Sequence, residues 1–468
     1  MRSLYAVIMI CFIIGGAIAG LLIFQVFLHE TSRNISTYNG ITETPFKHIV
    51  IFILENHAFD NVFGTYPFGY PLIKNGITCS VSRPVGLFNQ TLPNDLNLEQ
   101  AKSVILKDPI EGYLPYHKDW NLGLMNGFAE YSGAQSQVFL SYQQVPLLWD
   151  YAEEYTLADD YFSPVLSVTQ ANRLAYLTGY PTGVENDSNL NSAINISDTV
   201  MYQLSENNIS WTYFVLNRES GVIPFPLNSI SGIRPYSDHI VDTSRFFYDI
   251  LNHELPSVSW ISFTGGKGYD CHSINYDMHP PGNLTLAQIN LYKYINAIMK
   301  SNYWNDTLIL ITFDEGGGFF DQVPPPIIFT YGLGKSPYLS SLNLSNYSTL
   351  GQRIPLILIS AYSREGWVNN YTLSGYSILG FIDYNWHMRF ITNIVANSDV
   401  AGFLNSFNFS KPRPPIILSY QNWTYPLPLQ YPIHYGFIAT IDNNYTEYFV
   451  LYERGFVTAT ALKYIEHY

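Results

Sequence analysis

Charged residues are scarce in this chain of 468 residues, and cations are the scarcer sign. Asp, Glu, Lys and Arg make up 13% of the sequence, about half of the share that is usual in soluble globular proteins. The 23 basic and 37 acidic side chains give a net charge of −14. A chain so poor in cations lacks the basic surface that a phosphate backbone requires, which argues against nucleic acid as a partner. Because 47% of the residues are hydrophobic, intrinsic disorder is excluded as well.

Cysteine is also scarce, with only Cys11, Cys79 and Cys271. Cys11 lies in an apolar N-terminal run, so Cys79 and Cys271 remain either to form one disulfide in an exported protein or to stay as thiols. The sequence has no CxxC motif and no Cys/His cluster, which argues against a structural zinc site.

The N-terminal region carries the one long apolar run. From Leu4 to Leu28 the only strongly polar residue is Gln25, and a helix of that length spans about 38 Å, more than the roughly 30 Å of a bilayer's hydrocarbon core. We predict a membrane anchor or signal segment at residues 1–28 and a polar tether at 29–44, with the remainder outside the cell. The alternatives are a secreted protein cleaved after Ala17-Ile18-Ala19 and a buried core helix.

Sequons for N-glycosylation are frequent, which supports export. Thirteen Asn-x-Ser/Thr motifs begin at Asn34, Asn89, Asn186, Asn195, Asn208, Asn283, Asn305, Asn343, Asn346, Asn370, Asn408, Asn422 and Asn444. We therefore expect an extracellular glycoprotein. The alternative is that the loops are merely rich in Asn, Ser and Thr.

Short apolar runs separated by helical stretches predict an α/β fold. Such runs indicate strands buried on both faces, and they occupy His48–Leu54, Leu255–Phe263, Thr307–Phe313 and Ile354–Ser360. The amphipathic stretch Leu284–Trp304 leads into the third run as a crossover helix would. We predict a catalytic domain at residues 45–400 with a mostly parallel central sheet flanked by helices. Residues 401–468 are predicted to form a small β appendage with a hairpin around Asn443-Asn444.

Two of these strands run directly into acidic residues. Glu55-Asn56 follows the first run and Asp314-Glu315 follows the third. Ligands bind open α/β sheets at the carboxyl ends of the strands, and three carboxylates with an amide oxygen are suitable ligands for a hard divalent cation. The alternatives are that Asn56 or Asp60 caps a following helix and that Asp314 serves a glycine-rich turn.

A third element of interest is the helix start in SVTQANRLAYLTGY, where Thr169 precedes the helical pattern. Helix N-termini attract anions, so a hydroxyl at this point would meet a bound phosphate and could attack it. The alternative is an ordinary threonine N-cap.

These features resemble, in order, the sequence blocks of the phosphoesterase family that holds bacterial phospholipases C and a respiratory-burst-inhibiting acid phosphatase. The resemblance covers roughly residues 45–400. The matching blocks are ENHAFDNVFGTYP (Glu55–Pro67), TLADDYFSPVLSVTQANRLAYLTG (Thr156–Gly179), LSENNISWTYF (Leu204–Phe214), FFYDILNHELPSVSWI (Phe246–Ile261), MHPPGN (Met278–Asn283), ITFDEGGGFFDQVPPP (Ile311–Pro326) and GQRIPLILISAYSREGWV (Gly351–Val368).

The resemblance implies an alkaline-phosphatase-like core and hydrolysis through a covalent phospho-enzyme, with a divalent metal ion of unknown identity as cofactor. Thr169 matches the family's nucleophile, Asn172 an asparagine that orients phosphate, and His117 and His279 histidines that contact phosphate or handle the leaving-group proton. The residues that match the metal ligands are Glu55, Asn56, Asp314, Glu315 and Thr169.

The chain departs from the family at three places. Gly316 and Gln322 stand where relatives commonly carry histidine, and Asn369-Asn370 lies near a position where another histidine is often found. Losing histidines removes possible proton donors.

The sequence thus predicts a membrane-tethered extracellular phosphoesterase acting on phosphate esters or phospholipids, metal-dependent and most active below neutral pH. Whether it cleaves monoesters or acts as a phospholipase C stays open. The alternative is a non-catalytic, glycosylated cell-surface protein on the same scaffold.

Overall fold

The computed structural model describes residues 41–66, 96–188, 194–333 and 336–418, together with the backbone of two short strands at 73–74 and 77–78. Its strands are β1 (His48–Leu54), β2 (Ile73–Lys74), β3 (Ile77–Thr78), β4 (Glu99–Gln100), β5 (Val138–Phe139), β6 (Thr156–Ala158), β7 (Tyr161–Phe162), β8 (Trp211–Val215), β9 (Ile240–Asp242), β10 (Val258–Ser262), β11 (Thr307–Phe313), β12 (Ile327–Phe329), β13 (Tyr347–Thr349), β14 (Leu356–Ser360), β15 (Trp367–Asn369) and β16 (Leu373–Ser374). Its α-helices are α1 (Phe59–Phe63), α2 (Tyr113–Trp120), α3 (Phe128–Tyr131), α4 (Pro146–Glu154), α5 (Thr169–Thr178), α6 (Val200–Glu206), α7 (Ser244–Leu251), α8 (Leu284–Met299), α9 (Pro337–Ser341), α10 (Gly375–Asn385), α11 (Asn393–Ala396) and α12 (Val400–Leu404).

The centre of the fold is an eight-stranded sheet in the order β15-β6-β14-β11-β1-β10-β8-β9. All residues of β10, β11 and β14 are buried, as are those of β1 after its first residue. The helices flank the sheet, and α8 leads into β11 as predicted. The α/β prediction is therefore confirmed, and all four predicted runs contribute strands to this sheet.

The sheet is mixed rather than uniformly parallel. Seven strands share one direction, and β14 runs against its neighbours β11 and β6. The carboxyl ends of β1 and β11 therefore lie at the same edge of the sheet, and the carboxyl end of β14 lies at the opposite edge.

Part of the predicted C-terminal appendage belongs to the main core. Phe403, on α12, and Phe407 are buried, and the Phe407 ring packs against Phe46 at a centroid distance of 5.2 Å. The hairpin predicted around Asn443-Asn444 lies outside the described residues.

Only some of the features that predict export lie within the described residues. Of the nine sequon asparagines that it describes, eight are exposed, but Asn283 is 8% exposed and its side chain caps α8 by accepting from the Leu286 amide. Asn283 is therefore placed where a glycan cannot be attached to the folded protein. The predicted anchor at 1–28 lies outside the described residues, and so does Cys79, which leaves its possible disulfide with Cys271 a prediction. None of the described helices combines the length and hydropathy needed to cross a bilayer.

Asp119, on α2, is a buried carboxylate that forms no ion pair within the part of the chain that the structure describes. Its Oδ2 accepts a hydrogen bond from Ser132 Oγ at 2.5 Å, and its Oδ1 has no hydrogen-bond partner among the described residues. Burial raises the pKa of Asp119 from its ordinary 3.8 to about 7. Unfolding lets this group ionise at a lower pH, so the native state loses stability as pH rises from about 4 to about 7.

We predict that Asp119→Asn stabilises the protein above pH 7 and has little effect below pH 4. The shift of about three pKa units sets the expected gain at about 2–4 kcal/mol at pH 8. Urea unfolding of both proteins at pH 4 and pH 8 measures the difference. An equal effect at the two pH values would contradict the assignment.

Candidate active site

The two acidic strand ends predicted from the sequence meet in the structure. Strands β1 and β11 pair in parallel with Leu54 opposite Phe313, and the Asp314 amide donates to the Leu54 carbonyl at 3.0 Å. Glu55 and Asp314 therefore follow neighbouring strands at one sheet edge, and both are fully buried.

An arginine that sequence reasoning missed joins these two carboxylates. Arg173, on α5, donates from Nη2 to Glu55 Oε1 at 2.6 Å and from Nε to Asp314 Oδ2 at 2.9 Å. It also bonds to Ser262 Oγ and to the Ile53 carbonyl. A buried arginine held by two carboxylates and two further acceptors fixes α5 against the sheet edge.

Thr169 is the first residue of α5, one turn before Arg173. The N-cap is Val168, with no side-chain capping bond, so the alternative of a threonine N-cap is wrong. The Thr169 hydroxyl instead faces Glu55 Oε2 at 3.5 Å. The first turn of this helix also binds a carboxylate, since the Gln170 amide donates to Asp187 Oδ1 at 2.7 Å.

The side chain of Asn172 organises the loop before Thr169. Its Oδ1 accepts from the Val165 amide at 2.9 Å, and its Nδ2 donates to the carbonyls of Ser167 and Val168. Both amide hydrogens are thus used by the backbone. These bonds hold the segment that leads into Thr169, and the contact of Asn172 with phosphate stays a prediction.

Glu315 is held by a tyrosine and by the glycine-rich loop. Tyr116 OH donates to Glu315 Oε1 at 2.8 Å, and the Gly317 amide donates to Oε2 at 2.7 Å. Gly317 has a φ of +64°, and a Cβ on it would lie 2.4 Å from the Asn56 carbonyl oxygen. Glycine is therefore required for the loop to pass this close to Asn56.

Asn56 leaves one acceptor free. Its Nδ2 donates to Glu111 Oε1 at 3.0 Å, whereas its Oδ1 is buried and has no hydrogen-bond partner among the described residues. An unpaired buried oxygen is costly. Together with the buried carboxylates beside it, this oxygen is the kind of ligand that a divalent cation requires.

The alternative that Asn56 or Asp60 caps α1 is wrong, because Ala58 is the N-cap and no side chain caps the helix.

His279 lies in this site beside a second histidine, His272. Their rings are 3.8 Å apart at the centroids, and His272 Nδ1 is 3.8 Å from Glu55 Oε2. Within the described residues, two sets have ligand atoms within 4.8 Å of one another and could hold a metal: Glu55 with His272 and His279, and Asp108 with Glu111 and His279. The predicted set of Glu55, Asp314 and Glu315 is not one of them.

The acidic surroundings keep both histidines protonated. Burial alone would lower the pKa of His279, but Glu111, Glu55 and Asp108 outweigh it and raise the pKa to about 11. For His272, burial is likewise outweighed, by Asp277 and Glu55, and its pKa rises to about 9. In this structure both rings are therefore cations at neutral pH.

The other predicted histidine, His117, lies in an aromatic cluster. Its Nδ1 is 2.8 Å from the Tyr113 carbonyl oxygen, and its ring packs against Tyr113 and Tyr338 at centroid distances of 4.3 and 4.5 Å. Burial lowers its pKa to about 4. His117 is thus neutral and next in sequence to Tyr116, the residue that contacts Glu315.

Burial also raises the pKa of the strand-end carboxylates. It dominates the upward shift at Glu55 and Glu315, and at Asp314 burial, assisted by Glu55, raises the pKa to about 8 in spite of Arg173. These carboxylates gain negative charge only when they lose their protons, and a divalent cation at this point would favour that ionised form.

The departures from the family pattern have structural reasons. A Cβ on Gly316 would lie 2.1 Å from Gln352 Oε1, so Gln352 occupies the space of a larger side chain. The Gln322 amide and Nε2 donate to Asp60. Asn369 Nδ2 donates to the Gly402 carbonyl and to Ser406 Oγ.

Sequence comparison places the chain among phosphoesterases. The sequence model of the Phosphoesterase family matches residues 46–389, which confirms the resemblance. A non-hemolytic phospholipase C of Burkholderia pseudomallei is 25% identical over 439 residues; the match covers 78% of this chain but only 59% of that protein. Phospholipase C B of Mycobacterium tuberculosis is 24% identical over 428 residues, with 80% and 79% covered. These relatives do not favour the non-catalytic alternative.

The solved structures that resemble the fold are distant. A protein in the alkaline phosphatase superfamily from Vibrio parahaemolyticus has a TM-score of 0.35 and 12% identity, over 67% of this chain and 76% of its own.

Proposed function

Because the chain belongs to the Phosphoesterase family, a family of phosphoric ester hydrolases, we propose that it cleaves phosphate esters through Thr169 with the help of a divalent metal ion. The observation that carries the proposal is the position of the Thr169 hydroxyl. It lies at a helix N-terminus, 3.5 Å from Glu55 Oε2, where the carboxyl ends of β1 and β11 meet.

The residues at this edge fit a divalent ion. The unpaired Asn56 Oδ1 and the Glu55 carboxylate are oxygen ligands that would hold it, with His272 as the neighbour of Glu55. Asp314 and Glu315, the other predicted ligands, would join only by exchanging their present bonds to Arg173, Tyr116 and the Gly317 amide for the ion. When bound, the ion supplies positive charge that neutralises the phosphate oxygens and favours ionisation of a hydroxyl.

Residues of the chain can carry out both steps of the hydrolysis, the attack on the ester and the hydrolysis of the phospho-enzyme. The Thr169 oxygen attacks phosphorus, and its proton has Glu55 Oε2 as the neighbouring acceptor. His279, held as a cation by Glu111, is the proton donor for the departing oxygen. Water then attacks the phosphothreonine, and phosphate or a phosphate monoester leaves while Thr169 regains its proton. Arg173 and Asn172 keep the nucleophile in place.

We also propose that the enzyme acts outside the cell, tethered by its N-terminal segment or secreted. The eight exposed sequon asparagines support this. Glycopeptide mass spectrometry of protein from its native host tests it, and wholly unmodified sequons would count against it.

The experiment that tests the activity uses the purified protein with p-nitrophenyl phosphate and p-nitrophenyl phosphorylcholine, across pH 3–9. Release of p-nitrophenol from either ester is expected, with the maximum below pH 7. The choice between the two esters decides between a phosphatase and a phospholipase-C-type diesterase. Absence of turnover on both, with the metal supplied, would contradict the proposal.

A further inference from the structure

A cavity of about 340 Å³ lies beside β9, the edge strand of the central sheet. It opens between the loop that follows β8 and the 3-10 turn Arg234–His239, which leads into β9. The residues that line it include Arg218, Ile223, Arg234, Ser237, Asp238 and Val241. This lining shares no described residue with the cluster around Glu55 and Thr169, so the cavity is separate from the candidate active site.

The cavity brings two arginines together in a chain that has only 23 basic residues among 468. Arg218 is partly buried and Arg234 is exposed, and neither forms an ion pair within the part of the chain that the structure describes. Other arginines of the fold are paired with carboxylates, namely Arg173, Arg245, Arg353 and Arg413. The positive charge of the cavity is therefore not neutralised by a bound carboxylate.

The guanidinium of Arg218 is held in place and still has donors to offer. Its Nη1 donates to the Ile240 carbonyl, which fixes the side chain against β9. Its Nε is buried and has no hydrogen-bond partner among the described residues. A guanidinium has five N–H donors and no acceptor, so Arg218 lacks acceptors that an oxyanion would supply.

Two carboxylates near these arginines leave the cavity positive. Asp242 is occupied by the backbone, because its oxygens accept from the Arg218 amide at 3.3 Å and from the Ser244 amide at 2.9 Å. Asp238 is exposed and belongs to the lining. Two arginines against one lining aspartate give one excess positive charge, which attracts an anion in a protein whose net charge is −14.

The rest of the lining indicates which anion fits. Guanidinium groups match the geometry of phosphate oxygens, and Ser237 adds a hydroxyl, whereas Ile223 and Val241 add apolar surface. The volume lies within the range of small-molecule sites, about 300–1,000 Å³, and is larger than a bare phosphate ion needs. These features together indicate a phosphate group that carries a small organic substituent.

We propose that this cavity binds the phosphate group of a phosphate monoester, with Arg218 and Arg234 supplying the charge and Ser237 a further hydrogen bond. The organic substituent packs against Ile223 and Val241. A soluble ester and the head group of phosphatidic acid present the same oxyanion, so both are sources of this ligand. The ester is bound here without being cleaved, because the proposed nucleophile belongs to a separate cluster.

Calorimetry with sn-glycerol 3-phosphate tests the site. The metal-free protein is used, because its candidate active site lacks the cation that would hold a phosphate there. We expect saturable binding of the ester, which carries close to two negative charges at neutral pH, and no binding of glycerol.

Cosedimentation with vesicles of phosphatidylcholine, with and without phosphatidic acid, forms a second arm that identifies the source of the phosphate group. Binding of glycerol 3-phosphate indicates a soluble ester, and binding only to the vesicles that contain phosphatidic acid indicates the lipid. Absence of binding in both arms would overturn the proposal. Both arms read binding alone, so their outcome does not depend on the proposed activity of Thr169.

Three variants assign the binding to this cavity. Arg234→Gln removes a cation from an exposed side chain and should weaken binding at least about tenfold, as expected for the loss of a charge-assisted hydrogen bond. Asp238→Asn removes the opposing charge and should strengthen binding about two- to fivefold. Lys300→Gln removes the same charge as Arg234→Gln from an exposed position after α8 and should leave the affinity unchanged.

The opposite signs expected for Arg234→Gln and Asp238→Asn distinguish binding in the cavity from a general loss of structure, which would weaken binding in both. An affinity that Arg234→Gln leaves unchanged, that Asp238→Asn lowers, or that Lys300→Gln lowers as far as Arg234→Gln does would overturn the assignment.

Discussion

Replacing Thr169 by alanine is expected to lower turnover at least about a thousandfold, the range seen when a catalytic nucleophile is removed. The fold should survive. Thr169 does not cap α5, its 3.5 Å contact with Glu55 is long for a hydrogen bond, and alanine has the best helix propensity. Steady-state kinetics and thermal unfolding of the variant measure the two effects separately.

Two further variants control this experiment. Thr169→Ser keeps the hydroxyl and should retain part of the turnover. Thr178→Ala makes the same change at the other end of α5, where the hydroxyl donates to the Tyr180 carbonyl, and should remain within about twofold of the unmodified protein. Near-native turnover in Thr169→Ala would remove the basis for a covalent mechanism.

Metal removal is expected to abolish activity, by at least about a hundredfold, with recovery on addition of one particular divalent ion. Asp314 holds its proton near neutral pH, since burial raises its pKa to about 8, and burial also raises the pKa values of Glu55 and Glu315. An ion must displace these protons, so its affinity should rise with pH and fall in acid. Calorimetric metal titration at several pH values measures this independently of turnover.

Two substitutions at Asn56 form a matched pair of variants that test metal binding. Asn56→Leu removes the unpaired Oδ1 and should weaken metal binding at least about tenfold, whereas Asn56→Asp keeps an oxygen at that point and should retain binding. Full activity in chelator-treated protein with no ion detectable by elemental analysis would contradict the metal assignment.

The strand ends were the part of the site most open to prediction. Runs of β-branched and aliphatic residues mark β1 and β11, and the rule that functional residues follow parallel strands singles out Glu55, Asn56, Asp314 and Glu315. Thr169 could be identified as the nucleophile through the family resemblance, because a hydroxyl at a helix start is by itself also the pattern of an ordinary N-cap. The antiparallel direction of β14 could not be predicted, because a continuous apolar run indicates a buried strand but not whether it is parallel or antiparallel to its neighbours.

The partners that complete the site come from loops and were missed. Glu111 and His272 lie in segments with no periodic pattern, so only the folded chain shows that they reach Asn56 and Glu55. Arg173 did carry a signal: it lies four residues after Thr169, on the same helical face, in a chain with few cations. The aromatic surroundings of His117 depend on Tyr338, more than 200 residues away, and no local pattern reveals them.

The central claim is that Thr169 becomes phosphorylated during turnover, and trapping that intermediate tests it most directly. The enzyme is mixed with p-nitrophenyl phosphorylcholine or p-nitrophenyl phosphate in the presence of metal, quenched in acid within the first turnover, digested and sequenced by mass spectrometry. The account predicts a phosphoryl group, or its choline ester, on Thr169 that is absent without substrate. Turnover with an unmodified Thr169, or with the label on another residue, would contradict it.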